Sequence, residues 1–137
     1  MNAQSNEQVK IPAEIAWDAN GLAPAIVQDA ETGEVLMMAW MDEPALRNTI
    51  ATGFTHFYSR SRKRSWKKGE SSGHVQHVES IAVDCDADVL LIKARQEGGA
   101  CHEGYRSCFF RLIKPDGSLE IQGTPVFDPD AVYKPSE

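Results

Sequence analysis

The chain has 137 residues, of which 42% are hydrophobic and 25% charged, and these values are typical of one globular domain spanning residues 1–137. Its net charge of −6 argues against a general nucleic-acid-binding protein. Residues 1–10 are polar and lack the apolar core of a secretion signal, and no stretch has the apolar length that spans a membrane. We therefore expect a cytoplasmic protein with neither a nucleic-acid nor a membrane partner.

The first structural signal is a pair of apolar runs. Residues 25–28 and 35–41 flank a polar segment at 29–34 that contains a glycine. Two short apolar runs separated in this way predict a β-hairpin.

A helix is predicted next, over residues 43–52. Asp42 is of a residue type that caps helix N-termini with its carboxylate. Leu46 and Ile50 lie four residues apart, a spacing that places both on one helix face. We expect that face to pack on the core, and we expect residues 54–59 to return as a strand.

The following segment concentrates basic charge. Six of the fourteen basic residues fall within nine positions: Arg60, Arg62, Lys63, Arg64, Lys67 and Lys68. Such a cluster in an acidic protein indicates a local anionic partner, with phosphate the first candidate. Arg60 and Arg62 alternate in a strand-like run, and Lys68 leads into a glycine-containing loop at 69–73 whose amides can line a phosphate. The alternative is a solvated surface loop.

Strands predicted over 75–83 and 89–94 flank three aspartates and a cysteine: Asp84, Cys85, Asp86 and Asp88. In an extended chain the first two aspartates share one face and the cysteine points to the other. The third aspartate folds back toward them if the chain bends at Ala87. Carboxylates suit Mg²⁺ and a thiolate suits Zn²⁺. The alternative is a solvated acidic turn.

The chain has three cysteines, Cys85, Cys101 and Cys108. An odd number without a secretion signal favours metal binding or chemistry over disulfide pairing. Their spacing is not the C-x-x-C pattern of structural zinc sites, and three ligands with an open fourth position are typical of catalytic zinc. Alternatively, all three are small buried hydrophobic residues.

A second hairpin is predicted where strands over 108–113 and 118–121 flank Pro115-Asp116-Gly117. Residues 1–10 and 124–137 are predicted to be polar or irregular tails. The predicted fold is a small β-rich α+β single domain with one or two helices.

Several motifs, in this order along the chain, closely resemble those of the phosphoribosyl-AMP cyclohydrolase family. They are Ser59-Arg60-Ser61-Arg62, Trp66-Lys67-Lys68-Gly69-Glu70, Ser72-Gly73-His74-Val75-Gln76, Asp84-Cys85-Asp86-Ala87-Asp88, Ala100-Cys101-His102-Glu103-Gly104 and Ser107-Cys108-Phe109. The resemblance runs from about residue 24 to residue 113. Two positions depart from the expected pattern: Glu103 stands in place of threonine, and His74 stands where asparagine is frequent. We expect the monofunctional form, without the pyrophosphohydrolase domain to which some members are fused.

The resemblance implies the third step of histidine biosynthesis. Water adds to C6 of the adenine ring of 1-(5-phosphoribosyl)-AMP, and the N1–C6 bond breaks to give the phosphoribosylformimino imidazole carboxamide ribotide. It also implies Zn²⁺ on Cys85, Cys101 and Cys108, which activates the water, and Mg²⁺ on Asp84, Asp86 and Asp88. It further implies an intertwined homodimer whose zinc site is shared, with Cys85 from one chain and the other two cysteines from its partner.

The reaction needs a proton acceptor, for which a histidine is the natural candidate. His102 is our first choice because it adjoins Cys101, with His74 and His77 next, whereas His56 lies in an apolar strand and is expected to be structural. We assign contacts with the phosphorylated nucleotide substrate to five residues: Arg60, Arg62, Trp66, Lys68 and His74. For Trp66 a packing role is an equal alternative.

Two other classes of protein are weighed against the enzyme. A small zinc-containing nucleic-acid-binding module would explain the basic, aromatic-containing segment. The acidity, the absence of a fourth zinc ligand and the aspartates count against it. A thiol redox protein needs a close cysteine pair, which this sequence lacks.

Overall fold

The computed structural model describes residues 8–132. Within that range the elements, in chain order, are β1 (Ala23–Asp29), β2 (Val35–Met41), α1 (Glu43–Thr52), β3 (His56–Ser59), β4 (Arg64–Lys67), β5 (Gln76–Val83), β6 (Leu90–Gln96), β7 (Arg111–Ile113), β8 (Leu119–Ile121) and α2 (Pro129–Val132). The predicted small, β-rich α+β fold with two helices is confirmed. Neither of these helices is long and apolar enough to cross a membrane.

A four-stranded sheet in the order β2-β1-β6-β5 forms the centre of the domain. The predicted β1–β2 hairpin is confirmed as an antiparallel pair, whereas β1 and β6 run parallel. Side chains alternate along β1 between buried and partly buried, and both Ala25 and Val27 are fully buried. This alternation directs one face of the sheet into the core, as expected for a period of two.

Helix α1 has the predicted bounds and packs on the core beside β3. The Asp42 carboxylate accepts a hydrogen bond from the Ala45 N–H at 2.9 Å, which stabilises the first turn. Leu46 is buried as predicted, but the prediction for Ile50 is wrong, because that side chain is 42% exposed. Thr49 lies on the core face instead. Its hydroxyl accepts from the His56 N–H at 2.9 Å and so joins α1 to β3.

The basic segment folds into a second hairpin, formed by β3 and β4. Residues 60–63 are its turn, so the predicted strand-like run carrying Arg60 and Arg62 is wrong. Lys63 adopts a left-handed backbone with φ of 53°, which reverses the chain within this turn. The two arginines therefore lie on an exposed turn, and not on one face of a strand.

The hairpin predicted around Pro115-Asp116-Gly117 is confirmed as β7–β8. Its apolar side chains are largely exposed, and Ile113 reaches 79%. Part of the predicted irregular tail, residues 124–132, packs on the glycine-rich segment before it: the Val126 N–H donates to the Gly104 carbonyl at 2.7 Å. That part ends in the single turn of α2. Residues 1–7 and 133–137, which complete the two predicted tails, lie outside the described residues.

Candidate active site

A cleft of about 900 Å³ opens between the end of β2, the β3–β4 hairpin and the loop that follows β4. Predicted site residues from three separate motifs line it: Arg60, Arg62, Trp66, Lys68 and His102. The volume is in the range of pockets that bind small molecules. The fold thus brings together residues that lie up to about forty positions apart in the sequence.

The arginines give the mouth of the cleft a positive charge. The Arg60 guanidinium lies over the ring of Trp40, 4.5 Å from its centroid. Within residues 8–132, neither Arg60 nor Arg62 has a carboxylate at ion-pair distance, whereas Arg64 lies 3.7 Å from Glu70. The two arginines are therefore available to an anionic ligand.

Trp66 packs on the core and also faces the cleft. Its indole ring is partly buried against the core, with its centroid 5.1 Å from that of the buried Phe57. It also lines the cleft. A ring fixed by packing on one side can present an aromatic surface to a base on the other.

Lys68 lines the cleft and is buried. The Lys68 ammonium donates to the Ala100 carbonyl at 2.5 Å, and the backbone N–H of Lys68 donates to the Thr55 carbonyl at 3.1 Å. Burial lowers the pKa of Lys68, whereas the neighbouring thiols of Cys108 and Cys101 act in the opposite direction. The side chain is thus directed at the segment that carries the two cysteines.

Cys101 and Cys108 are neighbours in space. Cys101 is buried, and its Sγ accepts from the Glu103 N–H at 3.5 Å. Part of Cys108 reaches solvent, yet partial desolvation of its thiol raises its pKa to about 11. The adjacent Cys101, which hydrogen-bonds to it, adds to this rise, and Lys68 opposes it. Two thiols held together in this way could provide two of the ligands of a thiolate metal site.

The loop that carries this pair is tied to the first hairpin. Arg106 forms an ion pair with the buried Asp29 at the end of β1, and it donates to the Gly98 carbonyl at 3.3 Å. The Ser107 hydroxyl donates to the Val35 carbonyl at 2.7 Å, and the Cys108 N–H donates to the Leu36 carbonyl at 2.7 Å. These contacts fix the position of the loop relative to the sheet.

The three aspartates form a cluster at the end of β5. Their ligand oxygens lie within 4.8 Å of one another, and all three side chains are exposed. The predicted bend is confirmed: Ala87 has φ of 62°, and the Asp88 N–H donates to Asp84 at 3.0 Å. The pKa of Asp88 is raised, first by its hydrogen bond with Asp86 and then by desolvation and the charge of Asp84. This cluster could hold a hard cation.

Cys85 is exposed and does not complete either group within one chain. Among residues 8–132, the aspartates are the only cluster of three or more His, Cys, Asp or Glu residues spaced to hold a metal ion. All three cysteines are free thiols. The structure therefore brings together two of the three predicted zinc ligands.

The histidines occupy four different environments. His102 is exposed and lines the cleft. His74 does not line it: its ring lies 4.5 Å from that of Phe127, and its buried Nδ1 has no hydrogen-bond partner within the described residues. His77 contacts Glu97 at 2.5 Å on the surface. His56 Nδ1 lies 2.9 Å from the Phe54 carbonyl, in agreement with its predicted structural role.

Comparison with known proteins identifies the family. The model of the phosphoribosyl-AMP cyclohydrolase family matches residues 37–110. The phosphoribosyl-AMP cyclohydrolase of Nitratidesulfovibrio vulgaris strain DP4 is 57% identical over 117 residues, 85% of this chain and 92% of that protein. The enzymes of the same name from Methanococcoides burtonii and Pelotomaculum thermopropionicum are each 56% identical over 119 residues, 87% of this chain and 95% and 92% of theirs.

The chain belongs to the phosphoribosyl-AMP cyclohydrolase family. The matched segment contains the cleft residues, the aspartates and all three cysteines. Two features of this cyclohydrolase fold were not predicted from the sequence: the Asp29–Arg106 pair and the contact between Lys68 and the Ala100 carbonyl. Both join residues far apart in the chain, and no local pattern in the sequence marks such contacts.

Proposed function

We propose that this protein hydrolyses 1-(5-phosphoribosyl)-AMP at the N1–C6 bond of its adenine ring, the third step of histidine biosynthesis. Family membership supports the reaction and substrate. The observation that carries the proposal is the cleft, in which Arg60 and Arg62, without a carboxylate partner among residues 8–132, lie together with an aromatic ring and His102 beside the cysteine loop. We place the reaction in the cytoplasm, where free thiols remain reduced.

We assign binding and proton transfer to the residues of the cleft. Arg60 and Arg62 hold substrate phosphate through charge-assisted hydrogen bonds, and Trp66 stacks on the purine. His102 accepts the proton of the attacking water. The water oxygen bonds to C6, and the N1–C6 bond breaks with its electron pair left on N1. N1 then takes the proton that His102 accepted, and the second proton of the water passes to the exocyclic nitrogen. The exocyclic nitrogen stays in the product as a carboxamide.

We further propose a zinc ion on Cys85, Cys101 and Cys108 and a magnesium ion on Asp84, Asp86 and Asp88. The paired thiols fit the first and the clustered carboxylates fit the second. A zinc ion held there supplies a Lewis acid that lowers the pKa of water and so yields a nucleophile near neutral pH. The magnesium ion either assists the reaction or binds a substrate phosphate.

We propose that the zinc site is completed in a homodimer. One chain provides the Cys101–Cys108 pair but leaves Cys85 exposed and apart from it. The chain also exposes apolar side chains along and beside the β7–β8 hairpin: Phe109, Leu112, Ile113, Leu119, Ile121 and Val126. An exposed apolar surface of this kind favours burial against a second chain. In a two-fold dimer, Cys85 of each chain would complete the site of its partner.

Turnover and metal content test the enzyme directly. We expect purified protein to carry one zinc per chain and to change the ultraviolet absorbance of phosphoribosyl-AMP as the ring opens. Cys101→Ala should lose both zinc and turnover, whereas Asp84→Asn should keep zinc and lose its dependence on magnesium. Salt-dependent binding of oligonucleotides without turnover would instead support the nucleic-acid-binding module.

Mixed dimers test the shared site. Cys85→Ala and Cys101→Ala proteins, each inactive, are unfolded together and refolded. Random pairing makes about half of the dimers mixed, each with one intact site, so about a quarter of wild-type activity should return. Each variant refolded alone is the control. If no activity returns although mixed dimers form, each site belongs to a single chain.

A further inference from the structure

Lys68 is a buried cation for which the described residues provide no carboxylate. The residue is only 9% exposed, and within residues 8–132 no Asp or Glu lies at ion-pair distance from its ammonium. Lysine is rarely buried unless its charge is matched. An anion other than a carboxylate is therefore expected beside it.

The contacts of Lys68 indicate which groups supply that anion. The ammonium donates to the carbonyl of Ala100, the residue immediately before Cys101, at 2.5 Å. The Cys101 and Cys108 thiols both lie within electrostatic range of it. When they hold a metal ion as thiolates, these two groups would provide the missing negative charge.

We propose that Lys68 is a positioning residue of the zinc site, which fixes the turn that carries Cys101 and balances the negative charge of the thiolate ligands. The inference rests on the zinc site of the proposed function. Three thiolates give a Zn²⁺ centre a net charge of −1, which weakens its Lewis acidity. One adjacent ammonium would restore neutrality to a zinc ion held there. This role differs from the substrate contact predicted from the sequence.

The neighbouring Lys67 provides a matched control. Its ammonium lies over the ring of Phe54, 4.4 Å from the centroid, and among residues 8–132 it makes no hydrogen bond to the turn that carries Cys101. Substituting either lysine by methionine removes one positive charge and keeps the length of the side chain. Only the substitution at Lys68 removes a positive charge that lies beside the thiols.

The test compares zinc affinity and kinetics in the full-length, zinc-loaded protein. Competition with a chromogenic chelator measures the affinity for zinc alone, without substrate. We expect Lys68→Met to lower zinc affinity about 10- to 100-fold, the scale seen when partners of metal ligands are lost. At saturating zinc we expect kcat to fall while KM for phosphoribosyl-AMP stays near wild type. Lys67→Met should match wild type in zinc affinity.

Two further variants separate charge from hydrogen bonding. Lys68→Arg keeps the charge and should recover most of the affinity. Lys68→Gln keeps a donor for the Ala100 carbonyl without the charge. If the methionine variant does not fold, the zinc affinity of the glutamine variant tests the loss of charge in its place. The glutamine variant should bind zinc more weakly than Lys68→Arg.

A different result overturns the inference. Wild-type zinc affinity in both neutral variants at Lys68, with a raised KM, would make the residue a substrate ligand instead. If the wild-type protein itself binds no zinc, the proposed function fails. If it binds zinc and turns over while the Lys68 variants bind equally well, only this inference fails.

Discussion

Replacing Asp29 by asparagine should destabilise the fold through the loop that carries the cysteine pair. The Asp29 side chain is only 2% exposed and forms an ion pair with Arg106. Its other oxygen accepts hydrogen bonds from the N–H groups of Glu31 at 2.8 Å and Thr32 at 3.2 Å. An asparagine can keep the backbone contacts but must turn its amide donor toward the guanidinium.

The magnitude follows from what is lost. A hydrogen bond to a charged group contributes about 1.5–3 kcal/mol, and breaking a fully buried ion pair costs about 3–5 kcal/mol. Arg106 is 36% exposed, so solvent screens part of this energy. We expect the free energy of unfolding to fall by about 2 kcal/mol. With an unfolding entropy near 2.1 cal/mol/K per residue, this corresponds to a fall in Tm of about 7 °C.

The effect should depend on pH in a defined direction. Burial alone would raise the pKa of Asp29, but the N–H donors of Glu31 and Thr32 and the Arg106 guanidinium together lower it below 3.8. A carboxyl with a lowered pKa in the folded state stabilises the protein above its unfolded pKa, and this contribution is lost as pH falls through the folded pKa. The difference in unfolding free energy between wild type and Asp29→Asn should therefore be constant from about pH 5 to pH 8. This gap should narrow below about pH 4.

Urea unfolding at fixed protein and zinc concentrations measures this gap. Glu34→Gln is the control, because Glu34 lies 3.7 Å from Arg106 in an exposed position, and it should change stability by no more than about 0.5 kcal/mol. An Asp29→Asn protein within 0.5 kcal/mol of wild type at pH 7, or an equal gap at pH 7 and pH 3, would refute this reasoning.

Three further predictions concern the fold and the cleft. Thr49→Val should cost about 1–3 kcal/mol in urea unfolding, because it leaves the first N–H of β3 without its acceptor, whereas Thr49→Ser should stay near wild type. Gly69→Ala should destabilise more than Gly73→Ala: both have positive φ, but only at Gly69 does an added Cβ meet backbone, at 2.7 Å. Arg60→Ala should lower kcat/KM about 10- to 100-fold by loss of a phosphate contact, whereas Lys63→Ala should change it less than twofold.

Local patterns predicted most of the elements correctly. The bounds and N-cap of α1 followed from Asp42, and the bend at Ala87 followed from the need to gather Asp84 and Asp88. Hairpins and caps depend on residues within a few positions of one another, so a sequence pattern contains the necessary information.

The errors arose where contacts distant in sequence decide the structure. The spacing from Leu46 places Ile50 on the core face of α1, but Thr49 is buried there instead. Its hydrogen bond with the His56 N–H of β3 fixes that orientation. The alternation of Arg60 and Arg62 predicts a strand-like run, whereas the pairing of β3 with β4 requires a turn there. The zinc ligands and the dimer remain predictions, because the described chain brings together only Cys101 and Cys108.

The parallel pairing of β1 with β6 has a consequence for synthesis of the chain. The hairpin of β1 and β2 leaves the ribosome early, but the other edge of β1 stays unpaired until Leu90–Gln96 has emerged. An unpaired apolar strand edge is a template for association with other chains. The nascent protein is therefore expected to be most prone to aggregation during this interval, and its folding should be limited by arrival of the distant strand.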